Sequence, residues 1–204
     1  HHFETPWTEH AFLEPECAVV MPFDDGVFIY SSDQGIYDTR RETALMLGLP
    51  EDKVIVENCF VGGGFGGRED VTVQHLAALV AYVCKRICKV KLTRQESILI
   101  HPKRHQFSMD LTTACDEKGK LTAMKLVAVT DNGAYASLGG PVLQRACTHA
   151  AGPYNYQTID IDGKAVYTNN PLLNRLILSY RDWGRDCICV SGQDNLCGHR
   201  WDGQ

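Results

Sequence analysis

Hydrophobic and polar positions change their period several times along this chain, and each change marks an element. Residues 17 to 30, CAVVMPFDDGVFIY, hold apolar runs broken at Pro22 and at Asp25-Gly26, which predicts strand, turn, strand. SSDQGIYDTRRETALMLGLP predicts a polar turn and then a helix with Ala44, Leu45 and Leu47 on its inner side, stopped by Gly48 and Pro50. DKVIVEN predicts a further strand. After a glycine-rich stretch, VTVQHLAALVAYVCKR has helical character. Glu69 and Asp70 are expected to open that helix and basic residues to close it, as its dipole favours. ICKVKLTR alternates like a half-buried strand, and the run from Arg104 to Ala136 predicts a hairpin turning at Asp116 to Gly119. GPYNYQTIDIDGKAVYTNNP predicts two short strands around Asp162-Gly163.

This is an α+β succession, mixed sheets with packed helices, without a repeat or a low-complexity linker. A single compact unit through about Pro171 is the expectation. Residues 172 to 204 show no sustained period and hold two of the three tryptophans, so they are expected to be an atypical tail.

Composition narrows the function classes. A net charge of -5 lacks the clustered Lys and Arg of a nucleic-acid surface. No stretch has the apolar length of a membrane span. Nine scattered cysteines, Cys17, Cys59, Cys84, Cys88, Cys115 and Cys147 among them, are expected to be reduced, buried thiols of an intracellular, cytoplasmic protein. The chain begins at His1, and an internal fragment of something longer is expected.

The chemistry concentrates in FVGGGFGGRED, residues 60 to 70. Gly62-x-Gly64-x-x-Gly67 spells the dinucleotide fingerprint between a strand and a helix. No Asp or Glu occurs between Val71 and Gln95, however, where the ribose-binding acid belongs. A tight turn needs one or two glycines with positive φ. Five glycines in six residues fit better with a backbone pressed against a ligand.

VGGGFGGRED followed by VQHLAALVAYVCKR resembles the loop and helix of the molybdenum hydroxylases, the xanthine dehydrogenase and aldehyde oxidase family, in its molybdopterin-binding large subunit. TPWTEHAFLEPE, YSSDQGIYDTR, RQESILIHPKRH, LGGPVLQRACTHAAGPYNYQ and VYTNNP resemble further family segments in the same order. The resemblance covers about residues 1 to 171, a partial cofactor-binding domain, and is nearest to bacterial xanthine dehydrogenases.

It implies a molybdenum-molybdopterin cofactor held without protein side-chain ligands on the metal. Gly64, Phe65, Gly66 and Gly67 would line it, with Phe65 and Gly66 giving backbone contacts beside the metal. Gln34 matches the glutamine whose amide bonds a molybdenum oxygen. Glu69 matches the glutamate that contacts a purine ring, with a helix-capping carboxylate as the alternative. The implied reaction hydroxylates a carbon of a purine such as xanthine or hypoxanthine, or of a similar N-heterocycle, with water as oxygen source. Iron–sulfur clusters and FAD in partner domains or subunits would carry the electrons away.

The family's general base and its Phe-Arg-Gly-Phe-Gly loop have no counterpart here. The parent is therefore expected to be the enzyme and the isolated chain inactive. A truncated, non-catalytic product or binding module is the alternative, and a dinucleotide-binding domain a weaker one.

His10, Glu14 and Glu16 could suggest a metal site, but Pro15 argues against one helix across them. Hydrogen-bonded structural roles are expected for His10, His101 and His105, and a satisfied core position for His75. Cys187, Cys189, Cys197 and His199 have the number but not the common spacing of zinc ligands.

Overall fold

A computed structural model describes residues 1–135 and 137–170. Instead of the single unit expected, contacts divide the chain into two compact units, Glu9–Arg104 and His1–Thr8 with the described residues from His105 onward.

The unit Glu9–Arg104 is built on a four-stranded sheet. Strands β2 (Cys17–Phe23) and β3 (Gly26–Ser31) form an antiparallel hairpin. Helix α1 (Ile36–Leu47) crosses over to β4 (Val54–Asn58), which runs parallel to β3. Strand β5 (Cys88–Lys91) pairs antiparallel with β2, giving the order β4-β3-β2-β5. Alternation drives this arrangement: Ala18 and Val20 of β2 and Val27 and Ile29 of β3 are all fully buried. Truncating a large residue of this kind to alanine costs about 2–5 kcal/mol.

Helix α2 (Gln74–Cys84) packs Ala77, Ala78 and Ala81 against these strands, small side chains that let the helix approach the sheet. Gly48 ends α1 with φ 67, and the N–H of Leu49 bonds the Ala44 carbonyl at 2.9 Å. A residue with a Cβ would be strained in that left-handed conformation. Helix α3 (Arg94–Ile100) starts with a capping box, Thr93 and Glu96 each bonding the other's backbone N–H.

In the other unit, strands β6 (Phe107–Cys115) and β7 (Leu121–Asp131) form the expected hairpin, whose turn is closed by the Gly119 N–H on the Asp116 carbonyl at 3.0 Å. Helix α4 (Gly139–His149) crosses over to β8 (Thr158–Val166), parallel to β7, and β1 (His2–Thr5) pairs antiparallel with β6. The sheet order is β1-β6-β7-β8. Val142 and Ala146 of α4 cover Phe107, Met109, Met124, Leu126 and Ala128.

Several expectations change. Strand β2 continues through Pro22 to Phe23, and residues 158–166 form one strand through Asp162-Gly163 rather than two. Leu45 points outward at 70% exposure, while Thr39 and Thr43 take inner positions beside Ala44. Glu69 and Asp70 precede α2, whose first turn holds no acid and whose last turn holds no base. Helices α3 and α4 and strand β1 were not expected.

The six cysteines among the described residues are free, but Cys59, Cys84 and Cys115 are exposed rather than buried. Among those residues no helix is long and apolar enough to cross a membrane. The tail residues 172–204, with Cys187, Cys189, Cys197 and His199, lie outside the described residues.

Candidate cofactor-binding site

Two neighbouring loops of the unit Glu9–Arg104 build the candidate site. Strand β3 ends at Ser31, and Ser32-Asp33-Gln34-Gly35 leads into α1. Strand β4 ends at Asn58, and the glycine loop follows. Parallel pairing of β3 with β4 places both strand ends side by side, Ser31 opposite Asn58. The two segments remain joined beyond the sheet: the Cys59 N–H bonds the Ser31 carbonyl at 2.8 Å, and the Asp33 N–H bonds Asn58 Oδ1 at 3.2 Å.

Gln34 is stitched to the glycine loop at three points. Its N–H bonds the Arg68 carbonyl at 2.8 Å. Its Oε1 accepts the Gly66 N–H at 2.9 Å and the Arg68 N–H at 3.3 Å. Both partners are donors, so the carboxamide must turn its oxygen inward and keep its NH2 as a donor on the other side. A Cβ on Gly64 would overlap the carboxamide, 2.6 Å from its carbon Cδ. The absence of a side chain there is what admits Gln34.

Gly64, Gly66 and Gly67 are buried, whereas Phe65 between them is 53% exposed. Phe65 has φ 54, Gly63 φ 98 and Gly66 φ 86. A left-handed phenylalanine stores strain of about 1–2 kcal/mol, which persists only where surrounding contacts impose it. The Gly67 N–H closes back on the Gly64 carbonyl at 2.8 Å. The Gly66 N–H, expected beside the metal, is here donated to Gln34. Gln34 and Phe65 are thus the exposed members of an otherwise buried set, and Glu69 is half-buried just beyond Arg68.

The loop does not open a helix. Helix α2 begins at Gln74, seven residues past Gly67, so the glycines lack the helix N-terminus that holds a pyrophosphate in the dinucleotide fold. The same offset removes the capping alternative for Glu69.

Beneath the loop lies a buried polar cluster. A Cβ on Gly67 would come within 2.7 Å of the His101 ring and 2.9 Å of His10 Cγ. His101 Nε2 and His10 Nδ1 hydrogen-bond at 2.9 Å, and His101 Nδ1 lies 3.0 Å from Glu16 Oε1. Glu9, His10 and His101 offer ligand atoms within 4.8 Å of one another. The rings already bond each other, and the Lys103 ammonium holds Glu9 at 2.6 Å. This arrangement fits the structural role expected of His10 and His101.

Burial pushes the Glu16 carboxyl up, but the polar groups of His101, 3.0 Å away, and of Ser97 outweigh it and hold Glu16 below its ordinary value. Asp33 behaves in the opposite way: burial raises it despite hydrogen bonds from Thr39 and Gly35. His105 is fully buried. His75 is only half-buried, its Nδ1 has no hydrogen-bond partner among the described residues, and burial lowers its pKa, so it is not the satisfied core histidine expected.

Sequence reasoning missed Arg68 and undervalued Glu14. The Arg68 side chain is almost wholly buried, and Glu14 reaches the Gly62 N–H at 2.7 Å through Oε2. The signal available in the sequence was a pair of opposite charges inside two motifs, Glu14 in EHAFLEPE and Arg68 in GGRED.

Comparison with known proteins follows the same residues. The molybdopterin cofactor-binding domain family matches residues 1–175. The nicotinate dehydrogenase large molybdopterin subunit of Eubacterium barkeri is 36% identical over 95% of this chain and 45% of its own length. A probable xanthine dehydrogenase component of Bacillus subtilis is 38% identical over 95% of this chain and 26% of its own. The chain thus spans less than half the length of these curated relatives. The aldehyde oxidoreductase of Desulfovibrio gigas has the same fold, with a TM-score of 0.84 over 96% of this chain and 22% of that one at 23% identity.

Proposed function

We infer, from a chain that belongs to the molybdopterin cofactor-binding domain family, that Gln34 and the loop Gly64–Gly67 hold one side of a molybdenum-molybdopterin cofactor in an enzyme that hydroxylates an N-heterocycle. One observation carries this reading: Gln34 Oε1 is pinned by two backbone N–H groups, which leaves its NH2 as a fixed donor.

The residues present suit such a group. An amide NH2 donates to oxygen without competing for the metal, and glycines let backbone approach without a Cβ. Phe65, held left-handed, leaves its side chain exposed in the same loop. When bound, the cofactor supplies the redox chemistry that installs a water-derived oxygen on carbon.

This chain's residues supply orientation. The Gln34 NH2 would donate to a cofactor oxygen on which charge develops, a fixed donor costing no reorganisation during the reaction. Glu69 would accept ring N–H groups of the substrate and set the heterocycle in register. A purine, xanthine or hypoxanthine, is the proposed substrate. The names of two relatives, a nicotinate and a xanthine dehydrogenase, both denote nitrogen heterocycles. Iron–sulfur and flavin domains or subunits would take the electrons. The 204-residue chain alone is expected not to turn over xanthine.

The test is the ratio of kcat/KM for xanthine to that for a small aromatic aldehyde, measured in the whole enzyme before and after Glu69→Val. An unpaired buried polar group costs about 1–3 kcal/mol, so the ratio should fall by about one to two decades. An unmoved ratio removes the purine assignment and leaves the cofactor reading standing.

A further inference from the structure

The glycine loop is held at both ends by two charged side chains. At the entry, Glu14 Oε2 accepts the Gly62 N–H at 2.7 Å, and Glu14 Oε1 accepts the Ser32 hydroxyl at 3.0 Å. A Cβ on Gly62 would come within 2.6 Å of Glu14 Cβ, so the glycine is what lets the two segments close. At the exit, the Arg68 guanidinium turns inward. Its Nη1 donates to the Ser32 carbonyl at 2.8 Å and to the Ser32 hydroxyl, and its Nη2 donates to the Glu14 carbonyl. Its central carbon sits 4.5 Å over the Phe12 ring, and Nη1 lies 3.5 Å from Glu14 Oε2.

Every one of these partners belongs to the segments that precede β2 or follow β3. Arg68 also carries two of the three backbone groups of the loop that bond Gln34, its N–H to Oε1 and its carbonyl to the Gln34 N–H, the third being the Gly66 N–H. One residue therefore fixes the loop through its side chain and the Gln34 carboxamide through its backbone. A guanidinium suits the task because it offers several donors in a rigid fork, whereas an ammonium is a single point of charge.

We propose that Arg68 and Glu14 are positioning residues that clamp the glycine loop in its cofactor-accepting shape before the cofactor arrives, with Arg68 setting the orientation of the Gln34 carboxamide. The consequence for the cofactor rests on the function proposed above. The clamp itself does not. A preformed loop binds more tightly because the ordering cost is already met in the free protein.

The experiment uses the 204-residue chain without cofactor. Backbone hydrogen exchange is followed in peptides covering residues 60–70 and, as an internal reference, in β2 and β3. Arg68→Met, Arg68→Lys and Glu14→Gln are compared with the unaltered chain at a temperature where circular dichroism shows each to be folded. Exchange in residues 60–70 should rise at least about tenfold in Arg68→Met and several-fold in Glu14→Gln, while β2 and β3 stay within about twofold. Lysine should fail to rescue, because it keeps the charge and loses the fork.

Loop exchange that stays unchanged in Arg68→Lys overturns the proposal, as does exchange that rises equally in the loop and the strands. Arg68→Met is the variant most exposed to general unfolding, and Glu14→Gln, on a side chain 38% exposed, keeps the test decisive if it is lost. Binding of isolated molybdopterin is measured on the same samples by its fluorescence, with affinity expected to drop about tenfold in Arg68→Lys. If Arg68→Lys leaves the molybdenum content of the whole enzyme unchanged while the exchange pattern appears as described, the link to the cofactor fails and the clamp stands.

Discussion

The two units share one sheet plan. In each, a hairpin (β2–β3 or β6–β7) is flanked by an antiparallel strand on its first member (β5 or β1). A parallel strand reached through a helical crossover flanks its second member (β4 through α1, β8 through α4). Even the exit from the hairpin repeats: Asp33 Oδ1 accepts the Gly35 N–H and Asp131 Oδ1 the Gly133 N–H, each at 2.9 Å. What differs is the load on the loops. Beyond β4 come the glycine loop and buried Arg68, above a cluster with buried Glu16, His10 and His101. Beyond β8, Thr168 and Asn170 close onto Asp131 through neutral side chains. The sheet plan is therefore a scaffold, and the proposed cofactor contacts belong to what one copy of it carries at its parallel strand end.

The comparison can be broken at glycines. Gly66 (φ 86) and Gly133 (φ 63) are both left-handed, one in each unit. Gly66→Val should lower molybdenum content of the whole enzyme at least about tenfold, because a branched side chain is strained at this φ and would stand where the cofactor is proposed to approach. Gly133→Val should reduce the thermal midpoint and leave the metal content of the folded fraction unchanged. Equal loss of metal in both would show that the site is not confined to one unit.

At the residues after the paired aspartates, Gln34 and Asn132, a smaller difference is expected. Gln34→Ala should retain cofactor and lose about 2.7–4 kcal/mol of transition-state stabilisation, read as kcat at saturating substrate. Asn132→Ala should alter stability only. Similar kcat losses in both would sink the special role given to Gln34.

The buried charges should make the unit Glu9–Arg104 answer to acid. A carboxyl held below its ordinary value when folded stabilises above the unfolded pKa, and that contribution is lost as pH falls through the folded one. Glu16, ordinarily 4.5, meets this condition. Asp33, raised by burial, acts in the opposite sense and loses stability as pH rises from its ordinary 3.8. Glu16→Gln should therefore flatten the fall in local exchange protection of β2 and β3 below about pH 4.5. A slope unchanged by the substitution would remove Glu16 from the acid response.

The smallest effect sharpens the comparison by lying outside the site. Thr93→Ala deletes the capping box of α3 and should cost about 1 kcal/mol, visible in denaturant midpoints. Loop exchange at residues 60–70 should not change with it.

Much of this was legible in the chain. Strand alternation around Val20 and Ile29, the stop at Gly48 and the turn at Asp116 to Gly119 are local, and local physics fixed them. The glycine loop announced close backbone approach by composition alone. The position of Glu69 was not legible: acids before an apolar run look like a helix start, yet α2 begins at Gln74. The Leu45 side chain also misled, since hydrophobicity suggested an inner position that buried Thr39 and Thr43 occupy instead. The shared sheet plan left no repeat in the sequence, because strand order depends on pairing and not on residue identity.

The sequence by itself determined most of the elements, the family and the bare backbone at Gly62 to Gly67, because period, turn chemistry and missing side chains act over a few residues. Tertiary structure alone decided which atom of Gln34 faces the loop, since that depends on N–H groups of Gly66 and Arg68 more than thirty positions away. It likewise buried the side chain of Arg68, a residue the sequence had not singled out. Hydrogen bonds to Ser32 and Glu14 exist only after parallel pairing of β3 with β4 brings the strand ends together.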